Sequence, residues 1–181
     1  ARLNVAIFKD IREQAIAASK KMALEYGEPS ILKGYGRRNT TLMAIAPTTS
    51  SAFILGQVSQ SIEPIWSNCY VKDIDKMKVT IKNQQLEKLL EEKGQNSKEV
   101  WHSIRDNDGS VQSLKFLSPE EKEIFKTFQE INQKIVIEQA AARQTYIDQG
   151  QSLNLAINPA VPVKEVNALY STYITEAEGT A

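Results

Sequence analysis

Thr48, Thr49, Ser50 and Ser51 are four consecutive hydroxyl residues directly after Pro47, and no other stretch of the chain is so well suited to holding an anion. An apolar segment of strand length, Leu42, Met43, Ala44, Ile45 and Ala46, comes before them and stops at Pro47, because proline cannot donate to a ladder. Phe53, Ile54 and Leu55 come after them as the apolar residues of a helix, so the hydroxyls fall at its N-cap. A helix start exposes unpaired N–H groups and a partial positive charge, and a phosphate or diphosphate can be held there without lysine or arginine. The same four residues also suit a plain helix cap, a far commoner use.

Other residues with chemical potential carry less. Arg37 and Arg38 sit in a loop with Gly34 and Gly36, where they reach an anion or simply face solvent. Glu63, before Pro64, is an acid or base near a site, or a structural hydrogen-bond acceptor. Cys69 has no second cysteine and no basic cluster beside it in the chain, which reads as an inert thiol. His102 is the single histidine, with no second metal ligand nearby, and reads as structural or exposed.

The elements that position these residues follow from periodicity. Leu3, Ile7, Ile11, Ala15, Ala18 and Met22 recur at helical steps and predict a long first helix with these residues on one face, ended by Gly27. Residues 56–73 lack a helical period and read as an extended loop, with Trp66, Cys69 and Tyr70 packed on the core. Asn83 caps a predicted helix over 84–92, with Leu86, Leu89 and Leu90 inward, and Ser97 caps another carrying Val100, Trp101 and Ile104. Gly94 and Gly109 close the two. Ser118, Pro119 and Glu121 form a capping box with proline at the first helical position. The spacing of Ile124, Phe125, Phe128, Ile131 and Ile135 then predicts one helix to about Arg143. Residues 146–155 read as a strand with polar side chains on one side, and Val163, Val166 and Leu169 begin a last helix. Helices interleaved with strands argue an α/β fold.

Totals limit the partners. The 181 residues, 41% of them apolar, can bury a core as one domain or one piece of a larger one. Twenty-two basic residues cancel 22 acidic ones, which argues against a nucleic-acid or membrane-surface binder. No apolar run reaches the roughly 18 residues of a membrane span, and no signal peptide is evident, so the expected setting is soluble and cytoplasmic. One cysteine excludes an internal disulfide, and with one histidine a Cys/His zinc site is implausible. The chain starts at Ala1 directly in a helical pattern and reads as a fragment.

Three blocks carry a family resemblance: RRNTTLMAIAPTTSSAFILG, SQSIEP followed by SN, and AARQTYIDQGQSLNL, with GSVQSL and FKTFQEINQK between them. In this order and spacing they resemble the carboxy-terminal third of the large catalytic subunit of class I ribonucleotide reductase, in its bacterial and phage wording. The resemblance implies an α/β fold, the last portion of a ten-stranded α/β barrel, incomplete alone. It divides the chain into helix and loop (1–38), strand, phosphate-binding helix start and loop (39–70), a helical insertion (71–117), and long helix, strand and terminal helix (118–181).

It also implies replacement of the ribose 2′-hydroxyl of a nucleoside diphosphate by hydrogen, with Thr48, Thr49, Ser50 and Ser51 binding the substrate diphosphate. The family's radical cysteine, in an Asn-x-Cys-x-Glu motif, and its redox cysteine pair have no counterpart here. No catalytic residue is therefore assigned, Cys69 receives no role, and Tyr170 and Tyr173 are not assigned the family's radical relay. The implied partners are the remaining N-terminal part of the large subunit, a radical-generating, metal-containing small subunit, nucleotide effectors and a thioredoxin- or glutaredoxin-type reductant. None of these cofactors would be bound by this chain, and the setting would be a host cytoplasm if the gene is a phage's. Alone, the chain is expected to be inactive. Two readings remain open beside this one: a catalytically inactive phosphate- or nucleotide-binding module derived from the barrel, and an unrelated phosphate-binding α/β enzyme, for which no Gly-rich phosphate loop speaks.

Overall fold

A computed structural model of the chain describes residues 2–56, 58–74 and 77–178. The chain divides into two compact units, one made of Ala1–Ala46 with Gln133–Ala181 and the other of Pro47–Asn132.

In the second unit α2 (Thr49–Ile54) is followed by a two-stranded antiparallel hairpin, β1 (Cys69–Ile74) and β2 (Met77–Lys82), paired in the register Tyr70 opposite Ile81 and Lys72 opposite Val79. Two helices follow, α3 (Gln84–Glu92) and α4 (Lys98–Asp106), then the short α5 (Pro119–Ile124) and a 3-10 turn, Phe128–Glu130. The helix starts are where the capping residues predict them. The Asn83 side chain accepts the amides of Gln85 and Leu86, Ser97 accepts that of Val100, and Ser118 and Glu121 complete their reciprocal box. Leu86 and Leu90, four apart on α3, and Trp101 and Ile104, three apart on α4, turn inward. They meet Cys69, Val111, Leu114, Leu117 and Phe125 in one apolar core.

A buried polar side chain ties the elements round that core together. Asn68 is fully buried; its Nδ2 donates to the carbonyls of Gly109 (2.9 Å) and Phe125 (2.8 Å), and its Oδ1 accepts from Asn83 Nδ2 (2.8 Å). The start of β1, the cap of α3, the turn after α4 and the end of α5 thus share one amide. Gly109 lies at φ +82°, and a Cβ there would stand 2.0 Å from Ser67 Oγ and 2.7 Å from the Asn68 nitrogen, so only glycine fits.

The first unit holds α1 (Arg2–Tyr26), a 3-10 turn at Ser30–Leu32, α6 (Gln133–Gln144) and α7 (Val163–Glu178). Helix α6 packs against both α1 and α7. Gly27, at φ +76°, ends α1 in the left-handed conformation. No helix among the described residues is long and apolar enough to cross a membrane.

Several expectations are corrected. The single helix predicted from Ser118 to Arg143 is three pieces, because Thr127 and Glu130 repeat the capping box and restart the chain: Glu130 Oε2 accepts both the Thr127 amide (2.8 Å) and its hydroxyl (3.0 Å). Helix α1 forms as predicted, but its apolar face is exposed at Leu3, Ile7, Ile11 and Met22, whereas Ser19 and Ala23 are buried. The strands predicted over 42–46 and 146–155 are not strands among the described residues, since a strand exists only by pairing and these stretches have no ladder. The hairpin instead occupies residues predicted as loop and helical insertion, where each strand supplies the other's partners. Of the three residues expected in the core after α2, Cys69 is buried, but Trp66 and Tyr70 are partly exposed, the Trp66 and Phe128 ring centroids lying 4.7 Å apart edge-on.

We predict that Asn68→Leu, which leaves the Gly109 and Phe125 carbonyls without donors, lowers unfolding free energy by about 3 kcal/mol. Asn68→Asp should recover little, because a carboxylate cannot donate. Urea unfolding followed by the fluorescence of Trp101, in the same core, measures both; an unchanged midpoint would refute the central role of this amide.

Candidate functional site

Thr48 stands at the N-cap of α2 in a left-handed conformation (φ 47°, ψ 28°), and among the described residues its side chain accepts no hydrogen bond from the helix amides. Its Oγ1 instead accepts the Ser61 N–H at 2.7 Å, while its carbonyl takes the Ala52 amide at 2.8 Å. The first three helical residues, Thr49, Ser50 and Ser51, have no residues four positions back in the helix to receive their amides. All four hydroxyl residues are exposed. The expected helix start is therefore present, but the hydroxyl predicted to cap it pins the following loop instead. What is left is a turn of open amides flanked by hydroxyls, a geometry that suits a phosphate oxygen.

The loop that Ser61 belongs to borders a groove of about 410 Å³ lined by Gln60, Glu63, Pro64, Trp66, Tyr70 and Lys72, among others. Glu63 is half-buried there. A second cavity, about 600 Å³, lies against α4 and the hairpin, lined by Cys69, Lys82, Lys98, Trp101, His102 and Arg105 among others. Folding thus gives Cys69 the basic neighbours that it lacks in the chain. Burial nevertheless pushes its thiol pKa up, outweighing the opposing pull of Lys82 and Arg105. His102 is exposed, and no group of His, Cys, Asp or Glu able to hold a metal occurs among the described residues.

The arginines of the glycine loop are occupied locally. Arg38 donates to the Tyr26 and Gly27 carbonyls (3.0 and 2.6 Å) at the end of α1 and lies over the Tyr26 ring, and Arg37 donates to the Thr40 carbonyl (3.2 Å). Tyr170 and Tyr173 are exposed on α7.

Sequence reasoning gave no role to Asp148, which organises the backbone of the first unit. Its Oδ2 accepts the amides of Leu42 (2.7 Å) and Met43 (3.0 Å), its Oδ1 accepts Arg12 Nη1 (2.9 Å), and its own amide donates to the Met43 carbonyl (3.1 Å). Arg12 also donates to the Tyr146 carbonyl (3.1 Å), tying α1 to the turn after α6. The available signal was an acid inside the block YIDQGQSLNL, among apolar residues and amides.

The hydrogen bond from the Leu42 amide, aided by Arg12 and the Met43 amide, holds the Asp148 carboxyl below its ordinary pKa. A lowered folded-state pKa adds stability that is full above the unfolded value and is lost as pH falls through the folded one. Asp148→Asn is expected to cost on the order of 1–2 kcal/mol at pH 7 and to flatten the loss of stability below about pH 4. Urea midpoints from pH 3 to 7 test it; an unaltered acid limb in the variant would remove Asp148 from this role.

The comparisons with known proteins agree with this architecture. The family model described as the ribonucleotide reductase barrel domain matches residues 30–174, and the chain belongs to that family. It is 40% identical, over 174 residues, to the ribonucleoside-diphosphate reductase large subunit of Invertebrate iridescent virus 6, covering 94% of this chain and 18% of the relative. It is 42% identical over 154 residues to the putative large subunit of Frog virus 3, covering 85% of this chain and 27% of that one. Among solved structures, the class Id ribonucleotide reductase alpha subunit of Actinobacillus ureae matches with a TM-score of 0.87 and 55% identity, covering 97% of this chain and 32% of that one. The chain spans from about a fifth to a third of these relatives' lengths.

Proposed function

We propose that this chain is the substrate-phosphate portion of a class I ribonucleoside-diphosphate reductase large subunit, and that Thr48, Thr49, Ser50 and Ser51 hold the diphosphate of the nucleotide being reduced. The observation that carries the reading is the start of α2, where no side chain among the described residues caps the helix and the first amides stand open beside exposed hydroxyls. Those donors are neutral, so they grip the charged end of a nucleoside diphosphate and leave the sugar to groups supplied elsewhere. Reduction replaces the 2′-hydroxyl by hydrogen; the hydroxyl leaves as water, and the two electrons come from a thioredoxin- or glutaredoxin-type dithiol.

In this reading the chain is the last part of the ten-stranded barrel, with the fourfold division of residues 1–38, 39–70, 71–117 and 118–181. Residues 42–46 gain the ladder they lack from strands of the upstream part of the large subunit. That part brings the radical cysteine, the redox cysteines and the effector sites, and a metal-containing small subunit generates the radical. The assembled enzyme works in the cytoplasm, and the chain by itself turns over no substrate.

Replacing Thr48, Thr49, Ser50 and Ser51 together by alanine in the assembled enzyme should weaken nucleoside diphosphate binding at least about a hundredfold, since even one or two hydrogen bonds to a charged group, at about 1.5–3 kcal/mol each, account for that much. Nucleoside binding should change little. Equal losses for both ligands, by equilibrium titration, would count against the site. Mixing the chain with the upstream part and assaying reduction tests the function itself: activity that appears only on mixing supports it, and nucleotide binding without activity would favour an inactive module.

A further inference from the structure

Arg143 on α6 is 6% exposed, yet it has no acid beside it: no carboxylate among the described residues lies within 4.0 Å of its guanidinium. Its Nε donates to Gln151 Oε1 at 2.6 Å, and Gln151 is fixed in turn by donating Nε2 to the Ala140 carbonyl (3.0 Å) and to Gln144 Oε1 (2.7 Å). Phe8 of α1 lies against the guanidinium at 5.9 Å from its ring centroid. Among the described residues the two Nη groups make no hydrogen bond. Every sealed side-chain nitrogen and oxygen among the described residues has a partner, so these unbonded Nη groups are where the residue still reaches the surface.

A cation held in an apolar setting without a counter-charge is expensive, and such groups are ordinarily paired. Burial without compensation already lowers the Arg143 pKa to about 10. Its surroundings say what kind of group completes it. Leu3, Ile7 and Ile11 on α1 and Ile135 on α6 are each 45% exposed or more, an uncovered apolar surface on the two helices that hold the guanidinium. A free anion would leave that surface in water; a protein segment would cover it and bring the charge.

We propose that Arg143 is one half of a buried ion pair whose other half is an Asp or Glu carboxylate from the part of the large subunit outside this chain, and that this pair anchors the α1–α6 surface to that part. The inference rests on the proposed function for the existence of that part, since this chain matches only 18%, 27% and 32% of these relatives' lengths. The two free Nη groups offer the parallel donors that a carboxylate accepts in bidentate fashion.

The test uses the large subunit at full length, with Arg143→Met, which keeps bulk and removes charge, and Arg143→Lys, which keeps charge and loses the fork. At pH 7.5 Arg143→Met should lower the melting temperature by about 5 °C, because it strands a buried carboxylate, and Arg143→Lys by less. At pH 5 the Arg143→Met loss should shrink, because a stranded acid takes up a proton. An unchanged or higher melting temperature at both pH values, the result for a cation with no partner, overturns the proposal, and so does a loss independent of pH. Stabilisation of the parent protein by inorganic phosphate that Arg143→Met abolishes also overturns it, in favour of a free anion. Nucleoside diphosphate reduction by the parent full-length subunit with its small subunit is read separately, so failure of the ion pair and failure of the proposed function are distinguishable.

Discussion

The buried amide of Asn68 is the interaction on which the second unit depends. An asparagine in an apolar core is tolerated only when its donors and acceptor are all used, and here they are, by two carbonyls and a second asparagine. The arrangement converts a local preference into a long-range one. Asn83 caps α3 with its oxygen while its nitrogen reports to Asn68, so the helix can start only where the hairpin begins. Gly109 completes the joint because a side chain there would occupy the space of Ser67.

The first unit meets the same requirement with charge in place of amides. The backbone of residues 42–43 has no ladder, and Asp148 receives its amides as a neighbouring strand otherwise would. Glu28 does likewise for the Gly34 and Gly36 amides of the preceding loop. In both places a carboxylate accepting backbone N–H groups holds irregular chain in one conformation. Arg143 shows the converse: a charge with helices arranged round it and no acid beside it among the described residues.

The hydroxyl turn differs from both because its donors are left open. Thr48 spends its hydroxyl on Ser61, which fixes the path of the loop after α2 and removes the side chain that would ordinarily close the helix start. In the proposed function the diphosphate takes that place. Neutral donors suit a substrate that must be released after each turnover, since the attraction comes from oriented amides and hydroxyls and carries no full opposing charge.

Much of this was legible from local chemistry. Asn83, Ser97, Ser118 with Glu121, and Gly27 mark helix ends by bonds to residues within one turn, and those ends lie where the chain alone predicts them. The start of α2 after Pro47 was legible from the run of hydroxyls there, although none of them caps it. The second capping box, Thr127 with Glu130, was equally local but was masked by an apolar stripe whose period runs through it. What needed the tertiary structure were contacts between residues distant in the chain. Asp148 reaches Leu42, Asn68 reaches Phe125, and Arg143 lies buried with no acid beside it among the described residues. The β-hairpin belongs with them, because each of its strands exists only through the other. Sequence determined the caps, the turns and the hydroxyl run, since their energetics are settled within a few residues; the fold decided which polar groups are buried, which of those are paired, and which face still lacks a cover.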